Sequence, residues 1–427
     1  SKSAEDAEKG FATEPMREAS LLAFLKNREF RLIRRFCISQ AAGKKRVIDD
    51  AADGGQSALS SDANQLKFCS ALQPATHVAA LVRAMAEEGI SSASCGDILS
   101  GGEDWPDAYR HTPMHPEDSE ACVVVFWHSH WDCPAFQVYH GLLFGLPLAV
   151  TSFNRLSKLA EAMARRLLFL MFSMYFDDGT LQDWAGSASS SQAALADLMK
   201  MVGSPWASEK RQDCGPQGDF LGLVHDLSRV GEGIITFWPR ERLIEKTHHA
   251  ISQALDNDTL SQGQAAKLFG VVNFLETGLF GKIGKPGLTA LKNRTFDTRS
   301  HRLDPRLRAS LRLIREVLAL KPHRVFHLGV PAVPRVVVAS DAAYEGGKGT
   351  GGFLVVLGPN TDSETRLACV ADLPSKLYAI WGDQKTYIAQ LELYMVLAGL
   401  ARWAAELRGR RGVWWIDNVA ALMALVR

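Results

Sequence analysis

A pair of adjacent aspartates, Asp177 and Asp178, constrains the fold of this chain more than any other feature. The pair follows the mostly apolar residues 171–176 and precedes Gly179, a pattern that predicts a β-hairpin with both acids at its turn. Adjacent carboxylates repel each other, so a fold that holds them together usually supplies a cation to neutralise them. An acidic turn at the surface has the same short pattern, and the rest of the chain must separate the two interpretations.

Length and composition set the broad class. A chain of 427 residues can bury two or three cores, and 47% apolar with 22% charged residues is typical of a soluble globular protein. No apolar run is long enough for a membrane span. The seven cysteines lie at least eleven positions apart, which favours reduced thiols in an intracellular setting, cytoplasmic or nuclear. The chain begins at Ser1 without an initiator Met and stops at Arg427 within a predicted helix, so we expect a fragment of a longer polypeptide.

Positive charge is concentrated in two stretches, although the net charge is only +1. Residues 26–46 hold eight Lys or Arg and one acid, and residues 282–335 hold thirteen Lys or Arg and three acids. Such stretches are the electrostatic footprint expected for a protein that binds a phosphate backbone. Solvated helix faces are the other explanation of the same charges.

The remaining local patterns predict a mixture of helices and strands. Residues 1–20 are polar and are expected to be poorly ordered. Hydrophobic periodicity predicts helices over 77–88, 151–168, 191–202 and 388–407, with several helical segments over 241–320. Short β-branched or aromatic runs predict strands over 46–50, 121–127, 335–339, 353–357 and 412–416.

Two further groups of side chains suit chemistry. Lys45 and Arg46, at the start of a predicted strand, would be free to meet a triphosphate, although a basic hairpin explains them as well. His128, His130 and Asp132 could ligate a metal, or they could form a hairpin tip between two tryptophans.

Asp104 adds a carboxylate at the end of a second predicted strand. Three carboxylates from two neighbouring elements are what two Mg²⁺ ions need when they clamp a nucleoside triphosphate and a primer 3′-oxygen. With this set, the chain resembles the reverse transcriptases of retroelements over most of residues 26–225. The matching motifs, in chain order, are Arg46 with Asp50, Asp104-Trp-Pro-Asp-Ala-Tyr109, Leu143-Phe144-Gly145, Tyr175-Phe-Asp-Asp178, Lys210 and Phe220-Leu-Gly222.

The resemblance implies a metal site and a sugar gate. Asp104 and Asp177 would be the principal ligands of two Mg²⁺ or Mn²⁺ ions, with Asp178 beside them. Tyr109 would pack under the sugar of the incoming nucleotide and exclude a 2′-hydroxyl. Lys210 would protonate the leaving pyrophosphate.

The resemblance also implies a nucleotide-binding surface. Lys45 and Arg46 would lie at the triphosphate, where Arg46 would neutralise charge on the transferred phosphoryl group. Phe144 and Gly145 would flank the incoming base and the template.

A second set of acids lies in the last hundred residues. Asp341 ends a predicted strand, Glu392 lies on a predicted helix and Asp417 ends another strand. This order can bring three acids to one edge of a mixed sheet, where they again suit two metal ions, although three unrelated acids are the alternative. The segment resembles the ribonuclease H domain that is often tethered behind a retroelement polymerase, which implies that the three acids are metal ligands.

The sequence therefore predicts an α/β (α+β) protein with an antiparallel palm sheet. We expect a disordered segment at 1–20, polymerase fingers and palm at 21–225, a helical basic thumb or connection at 226–330, and a truncated ribonuclease H-like domain at 331–427. The predicted function is RNA-directed DNA synthesis for a retrotransposon-type element, on an RNA or DNA template with a primer and deoxynucleoside triphosphates. The alternative is an inactive relic that only binds nucleic acid, and ribonuclease H activity stays open because we expect that domain to be incomplete.

Overall fold

A computed structural model describes the chain except for residues 1, 40–44, 63–65, 91–95, 144, 280–283, 298–299, 322, 329–334, 360 and 427. The contacts divide the chain into two compact units, Ser1–Gly329 and Val330–Arg427. None of the described helices has the length and apolar character that a membrane-spanning helix needs.

The described strands form four sheets of four strands each. In chain order they are β1 (Leu32–Ser39), β2 (Lys45–Asp50), β3 (Ile98–Asp104), β4 (Val123–His128), β5 (Cys133–Val138), β6 (Met171–Tyr175), β7 (Asp178–Trp184), β8 (Gln212–Gly215), β9 (Gln217–Phe220), β10 (Leu223–Asp226), β11 (Ile234–Pro239), β12 (Arg324–His327), β13 (Arg335–Glu345), β14 (Lys348–Leu357), β15 (Thr365–Asp372) and β16 (Arg411–Ile416).

Helices connect and cover these sheets. The described α-helices are Lys2–Glu8, Glu18–Phe24, Gln56–Leu59, Gln73–Glu88, Pro147–Leu167, Ala188–Met201, Glu241–Asp256, Gln262–Gly278, Lys285–Arg294, Pro305–Leu320, Lys376–Trp381, Ile388–Arg402, Ala404–Leu407 and Val419–Val426. Short 3₁₀ helices are Ala108–His111, Pro116–Ala121, Ser208–Lys210 and Val230–Glu232. The predicted helix over 388–407 is interrupted at Trp403, whose φ of −115° departs from helical geometry.

The central sheet of the first unit has the strand order β6-β7-β3-β8, and all its pairs are antiparallel. The helix Pro147–Leu167 begins with proline at its first position, where the missing N–H costs nothing, and packs Phe153, Ala160 and Ala164 into the core under this sheet. The sheet and this helix together support the Asp177 hairpin, whose turn carries the acids.

A second sheet of the same unit, ordered β2-β1-β4-β5, carries Lys45 and Arg46 on its edge strand β2. The third, β12-β11-β10-β9, follows the central sheet along the chain. Four helices between Glu241 and Leu320 then pack around one apolar core that includes Ile251, Leu268 and Leu311. The basic stretch from 282 onward therefore falls largely on helices, as the periodicity predicts.

Polar composition misled the prediction for the first twenty residues. Residues 2–8 form a helix whose Asp6 is fully buried, and Ala12 and Met16 form bridges to Tyr139 and Phe136. The prediction of disorder is wrong for residues 2–20 because Asp6 is buried beside Arg35 of β1 and Arg110, contacts that no local pattern reveals.

The second unit holds the mixed sheet β15-β14-β13-β16. Strand β13 pairs antiparallel with β14 and parallel with β16. The helix Ile388–Arg402 packs Leu391 and Met395 against this sheet, in a core shared with Val338 and Val355. A parallel pair needs a crossover connection, and this helix lies within it.

Candidate functional site

The Asp177 hairpin is a strained two-residue turn. Tyr175 and Asp178 are paired across β6 and β7, so Phe176 and Asp177 form the turn itself. Phe176 has a φ of +51°, which a bulky side chain adopts only where its surroundings hold it. The Phe68 ring lies 4.8 Å from the Phe176 ring, and the Tyr109 ring 6.3 Å from it. These rings pack around Phe176, and the turn holds the Asp177 carboxylate next to that of Asp178.

Strand register brings Asp104 to the same place. Asp104 and Asp178 are directly opposite each other in the antiparallel pair of β3 and β7, and the Trp105 N–H donates to the Asp177 carbonyl at 2.8 Å. Directly opposed residues in such a pair have neighbouring side chains. The structure therefore brings Asp104 to the adjacent pair Asp177 and Asp178, although more than seventy positions separate it from them in the sequence.

Confinement of these acids disfavours their ionised forms. Burial raises the pKa of Asp178 to about 6, and the neighbouring charges of Asp177 and Asp104 add to the shift. Burial also raises the pKa of Asp177, with Asp104 again contributing. Carboxylates that are half-buried and mutually repelling gain most from a bound divalent cation, although the oxygens of these three acids do not all lie within 4.8 Å of one another.

Lys210 lies at the same acids. Its Nζ is 2.5 Å from the Asp104 Oδ1, and this hydrogen bond raises the pKa of Lys210. The short 3₁₀ helix Ser208–Lys210 is held to β3 because the Ala207 N–H donates to the Asp104 carbonyl at 2.9 Å. The lysine is thus charged, partly exposed and placed where it can donate a proton or neutralise an anion.

Tyr109 lies on the 3₁₀ helix Ala108–His111 and points its ring at the same hairpin. Its ring centre is 5.0 Å from that of Phe153, in addition to its contact with Phe176. Burial raises the pKa of the Tyr109 hydroxyl, and the charge of Asp177 adds to the shift. The structure therefore brings Tyr109 near Asp177.

The predicted nucleotide-binding residues are only partly placed beside one another. Gly145 has a φ of +100°, and a Cβ there would lie 2.6 Å from the Asp49 carbonyl of β2. Only glycine fits this approach, which places Gly145 against the strand that carries Lys45 and Arg46. Both basic side chains are exposed. Phe144 lies outside the described residues.

Two ion pairs near the acids escaped the sequence analysis. Arg240 binds Asp219 with two guanidinium nitrogens, one of them at 2.7 Å, and its charge opposes the burial that raises the pKa of Asp178. The Glu103 side chain is fully buried and pairs with the Arg211 Nε at 3.0 Å. Arg211 lies 108 positions from Glu103, and Arg240 lies 21 positions from Asp219 with no motif joining the two, so only tertiary structure reveals these pairs.

The only signal that leads to Arg240 is indirect. Its N–H donates to the Gly222 carbonyl at 3.2 Å, and Gly222 belongs to the Phe220-Leu-Gly222 motif identified from the sequence. That motif forms the turn between β9 and β10, with positive φ at both Leu221 and Gly222. The motif therefore marks the neighbourhood of the second cation but not the cation itself.

Asp341, Glu392 and Asp417 form a tighter cluster in the second unit. Their oxygen atoms lie within 4.8 Å of one another, the one such group of three or more among the described residues. The Glu392 Oε1 accepts from the Ala342 N–H at 3.0 Å, whereas its Oε2 is buried and accepts no hydrogen bond from a described residue. Burial, followed by the charges of Asp417 and Asp341, raises the pKa of Glu392 to about 7. A buried oxygen without a donor beside two exposed acids fits a divalent cation.

The HxHxD pattern has a simpler explanation than a metal site. His128 ends β4 and belongs to a hairpin with β5. Its Nδ1 accepts from the Trp131 N–H at 3.3 Å, and its ring stacks on Trp131 at 4.1 Å. These contacts are those of a hairpin tip, the second of the two interpretations.

The fold has counterparts among solved structures, although no protein-family model and no curated protein matches the sequence. The foamy viral protease-reverse transcriptase dRH in complex with double-stranded DNA matches with a TM-score of 0.54 and 11% identity, over 99% of this chain and 64% of that one. The foamy viral protease-reverse transcriptase in complex with double-stranded DNA matches with a TM-score of 0.50 and 13% identity, over 99% and 74%. This chain thus spans less than two thirds of the first structure. The predicted fold class is confirmed, and the chain has a mixed α/β fold of the retroviral reverse transcriptase type.

Proposed function

We propose that this chain is an RNA-directed DNA polymerase of a retrotransposon-type element. The observation that carries the proposal is the meeting of Asp104, Asp177 and Asp178 at one edge of the central sheet, with Lys210 on the first of them. The proposed domains are fingers and palm at 21–225, a thumb or connection at 226–330 and a ribonuclease H-like domain at 331–427. The two foamy viral proteins are described in complex with double-stranded DNA, which supports a nucleic-acid partner here.

The proposed mechanism assigns a task to each residue at the site. Asp104 and Asp177 would hold two Mg²⁺ or Mn²⁺ ions, with Asp178 beside them. When bound, such ions neutralise the triphosphate and lower the pKa of a primer 3′-hydroxyl. Lys210 holds a proton within reach of Asp104 and would deliver it to the leaving pyrophosphate.

Primer extension tests the proposal directly. The purified chain is given a homopolymeric RNA template, a complementary DNA primer and the matching deoxynucleoside triphosphate, with Mg²⁺ or Mn²⁺. Extension in the presence of the metal and its absence in chelator would support the polymerase. Tight binding of the template-primer without any extension would instead favour the inactive relic.

Tyr109 should govern the choice of sugar. Replacing it by valine removes the ring that contacts Phe153 and Phe176, so a 2′-hydroxyl would be accommodated. We expect ribonucleotide incorporation to rise about tenfold or more relative to deoxyribonucleotide. Steady-state kinetics with both triphosphates measures this ratio. A variant that extends primers with an unchanged ratio would remove Tyr109 from the role, and a Tyr109→Phe variant controls for the loss of the hydroxyl alone.

Exposed basic residues beyond 282 should contact the duplex. Arg294 is not among them, because it is buried and donates to the carbonyls of Ser300 and Arg302. Lys285 and Lys292 are exposed on the helix Lys285–Arg294. Replacing both by glutamine should weaken template-primer binding and flatten the plot of log affinity against log salt by up to about two units.

The control for this salt measurement removes two exposed charges elsewhere. Arg83 and Lys200, on the helices Gln73–Glu88 and Ala188–Met201, are replaced by glutamine in the same chain. Equal salt slopes for the Lys285, Lys292 variant and for the wild type would mean that the two lysines belong to a solvated face.

The second acidic cluster should bind divalent metal on its own. Mn²⁺ at about a hundred times its Kd should stabilise the folded chain by about 2.7 kcal/mol, visible as a rise in Tm. The Asp177→Asn variant keeps this second cluster intact and isolates its effect. In that background, Glu392→Gln should abolish the rise, whereas Asp372→Asn on β15 should retain it. A rise that survives Glu392→Gln would show that the ion binds elsewhere. Metal binding here would support the ribonuclease H-like proposal for 331–427.

A further inference from the structure

The backbone directly before Tyr109 is held in an unusual conformation. Asp107 has a φ of +55° and Ala108 a φ of +32°, the left-handed region that side chains with a Cβ rarely adopt. Two consecutive residues of this kind persist only where neighbouring groups hold them. The contacts of this loop therefore decide where the following residue, Tyr109, is placed.

Residues 2–11 supply contacts on both sides of Tyr109. On the preceding side, the Lys9 Nζ donates to the Asp107 Oδ2 at 2.7 Å, and the Lys2 Nζ lies 3.8 Å from the other carboxylate oxygen. On the following side, the Phe11 ring meets the His111 ring edge to face with centres 5.5 Å apart. The segment thus touches the loop at 107 and again at 111.

A buried acid anchors this segment to the rest of the unit. Asp6 is fully buried and accepts a hydrogen bond of 2.6 Å from the Tyr139 hydroxyl. The same Asp6 oxygen lies 3.7 Å from the Arg110 Nη2 and 3.6 Å from the Arg35 Nη1. Because Arg110 is the residue after Tyr109, its guanidinium ties the loop to the segment at a third point.

Small movements of this loop would change the position of the Tyr109 ring beside the acidic hairpin. Its ring packs on Phe153 and on Phe176, the residue that precedes Asp177 in the strained turn. A rotation of the 3₁₀ helix Ala108–His111 would carry the ring away from both neighbours. The space left for a sugar then depends on how firmly the loop is held.

We propose that residues 2–11 form a clamp that fixes the 107–111 loop and thereby sets how strictly Tyr109 excludes ribonucleotides. The inference rests on the proposed polymerase function. Lys9, Asp6 and Asp107 act as positioning residues through Tyr109 and do not touch the nucleotide. The selectivity that they control is the preference for deoxyribonucleoside over ribonucleoside triphosphates.

A double-mutant cycle on sugar selectivity tests the clamp. Lys9→Met and Asp107→Asn each remove the ion pair, and asparagine still tolerates the left-handed conformation at 107. We expect each single variant to lower the ratio of kcat/KM for deoxyribonucleotide to that for ribonucleotide roughly twofold to fivefold. The double variant should lose no more than Asp107→Asn alone, because that substitution already removes the contact that Lys9→Met removes. Arg229→Met is the matched control, since it breaks a similar exposed pair, 2.6 Å from the Glu232 carboxylate and outside the two basic stretches.

Each other outcome has a definite meaning. Unchanged selectivity in both single variants of an enzyme that selects deoxyribonucleotides would overturn the clamp, as would an equal loss in Arg229→Met. A wild type that extends no primer would overturn the proposed function instead. Hydrogen exchange then decides on the clamp alone: amides of residues 107–112 should exchange faster in Lys9→Met than in wild type, and equal exchange would overturn it.

Discussion

Asp177→Asn is expected to reduce primer extension by about a thousandfold or more while making the folded chain more stable. The first effect follows if Asp177 is a principal metal ligand, because a neutral amide binds Mg²⁺ far less tightly than a carboxylate and the ions carry most of the chemistry. The second follows from the burial and the repulsion by Asp104 that raise the pKa of Asp177. Removing a confined charge relieves both costs.

The opposite signs of these two effects make the experiment informative. Primer extension under single-turnover conditions measures the first, and thermal unfolding without added metal measures the second. Asp197→Asn, on the exposed side of the helix Ala188–Met201, removes an aspartate elsewhere and should change neither quantity appreciably. A variant that loses both activity and stability would mean that Asp177 serves the fold, and an active variant would refute its role as a ligand.

The sequence allowed the acids to be found because their signal is local and repeated. Asp177 and Asp178 follow an apolar run, and Asp104 begins the motif Asp104-Trp-Pro-Asp-Ala-Tyr109 that carries the family resemblance. Antiparallel pairing of the two strands is enough to bring these acids together. Glu392 was found in the same way, since a predicted helix between two predicted strands places it near Asp341 and Asp417.

What the sequence could not show is contact between distant residues without a pattern. The helix Lys2–Glu8 is ordered by Arg35 and Arg110, which meet it only after the chain has folded. Phe176 has a conformation that bulky residues avoid, so local preference argues against the observed turn. In both cases tertiary packing outweighs a local tendency, and local tendency is what a single sequence displays.

A buried hydrogen-bond network in the first unit likewise joins residues that no sequence pattern relates. His77 is hydrogen-bonded through Nδ1 to the Gln182 Oε1 at 2.6 Å and through Nε2 to the Ser173 Oγ at 2.9 Å. The Gln182 Nε2 donates to the Ser100 Oγ at 2.8 Å, and that hydroxyl lies 2.7 Å from the Nε2 of His225. All five side chains are buried, and they join the helix Gln73–Glu88 to strands β6, β7 and β3 of the central sheet and to β10 of the third sheet. The Arg165 Nη2 also donates to the Ser173 Oγ at 2.6 Å, and the His225 Nδ1 has no hydrogen-bond partner among the described residues. Buried networks of this kind favour one packing of the elements that they join.

Both histidines resist protonation. Burial is the main reason that the pKa of His77 falls to about 4; Arg165 lowers it further, while Gln182 and Glu161 oppose the shift. Burial also lowers the pKa of His225 to about 4, against the raising effect of Asp219 and Asp226. An unfolded histidine titrates near 6.5, so the unfolded chain takes up these protons first as the pH falls. The stabilisation from neutral histidines is therefore complete above about 6.5 and is lost between 6.5 and 4.

We expect this pair to dominate the acid destabilisation of the first unit. Each histidine should contribute on the order of 3 kcal/mol to the free energy of unfolding at neutral pH, lost progressively toward pH 4. The pKa of Asp178 is raised and not lowered, so its buried charge costs stability at neutral pH and this cost disappears as the pH falls. The pH dependence of wild-type stability therefore combines two opposing effects. Urea unfolding of the wild type and of His77→Gln/His225→Gln at several pH values separates the terms, because the difference between them contains only the two histidines. That difference should shrink by several kcal/mol from pH 7.5 to pH 4.5.

His249→Gln, which changes an exposed histidine, should show a constant difference. A constant difference for the double variant as well would mean that the buried histidines keep ordinary pKa values and that the network accepts their charge.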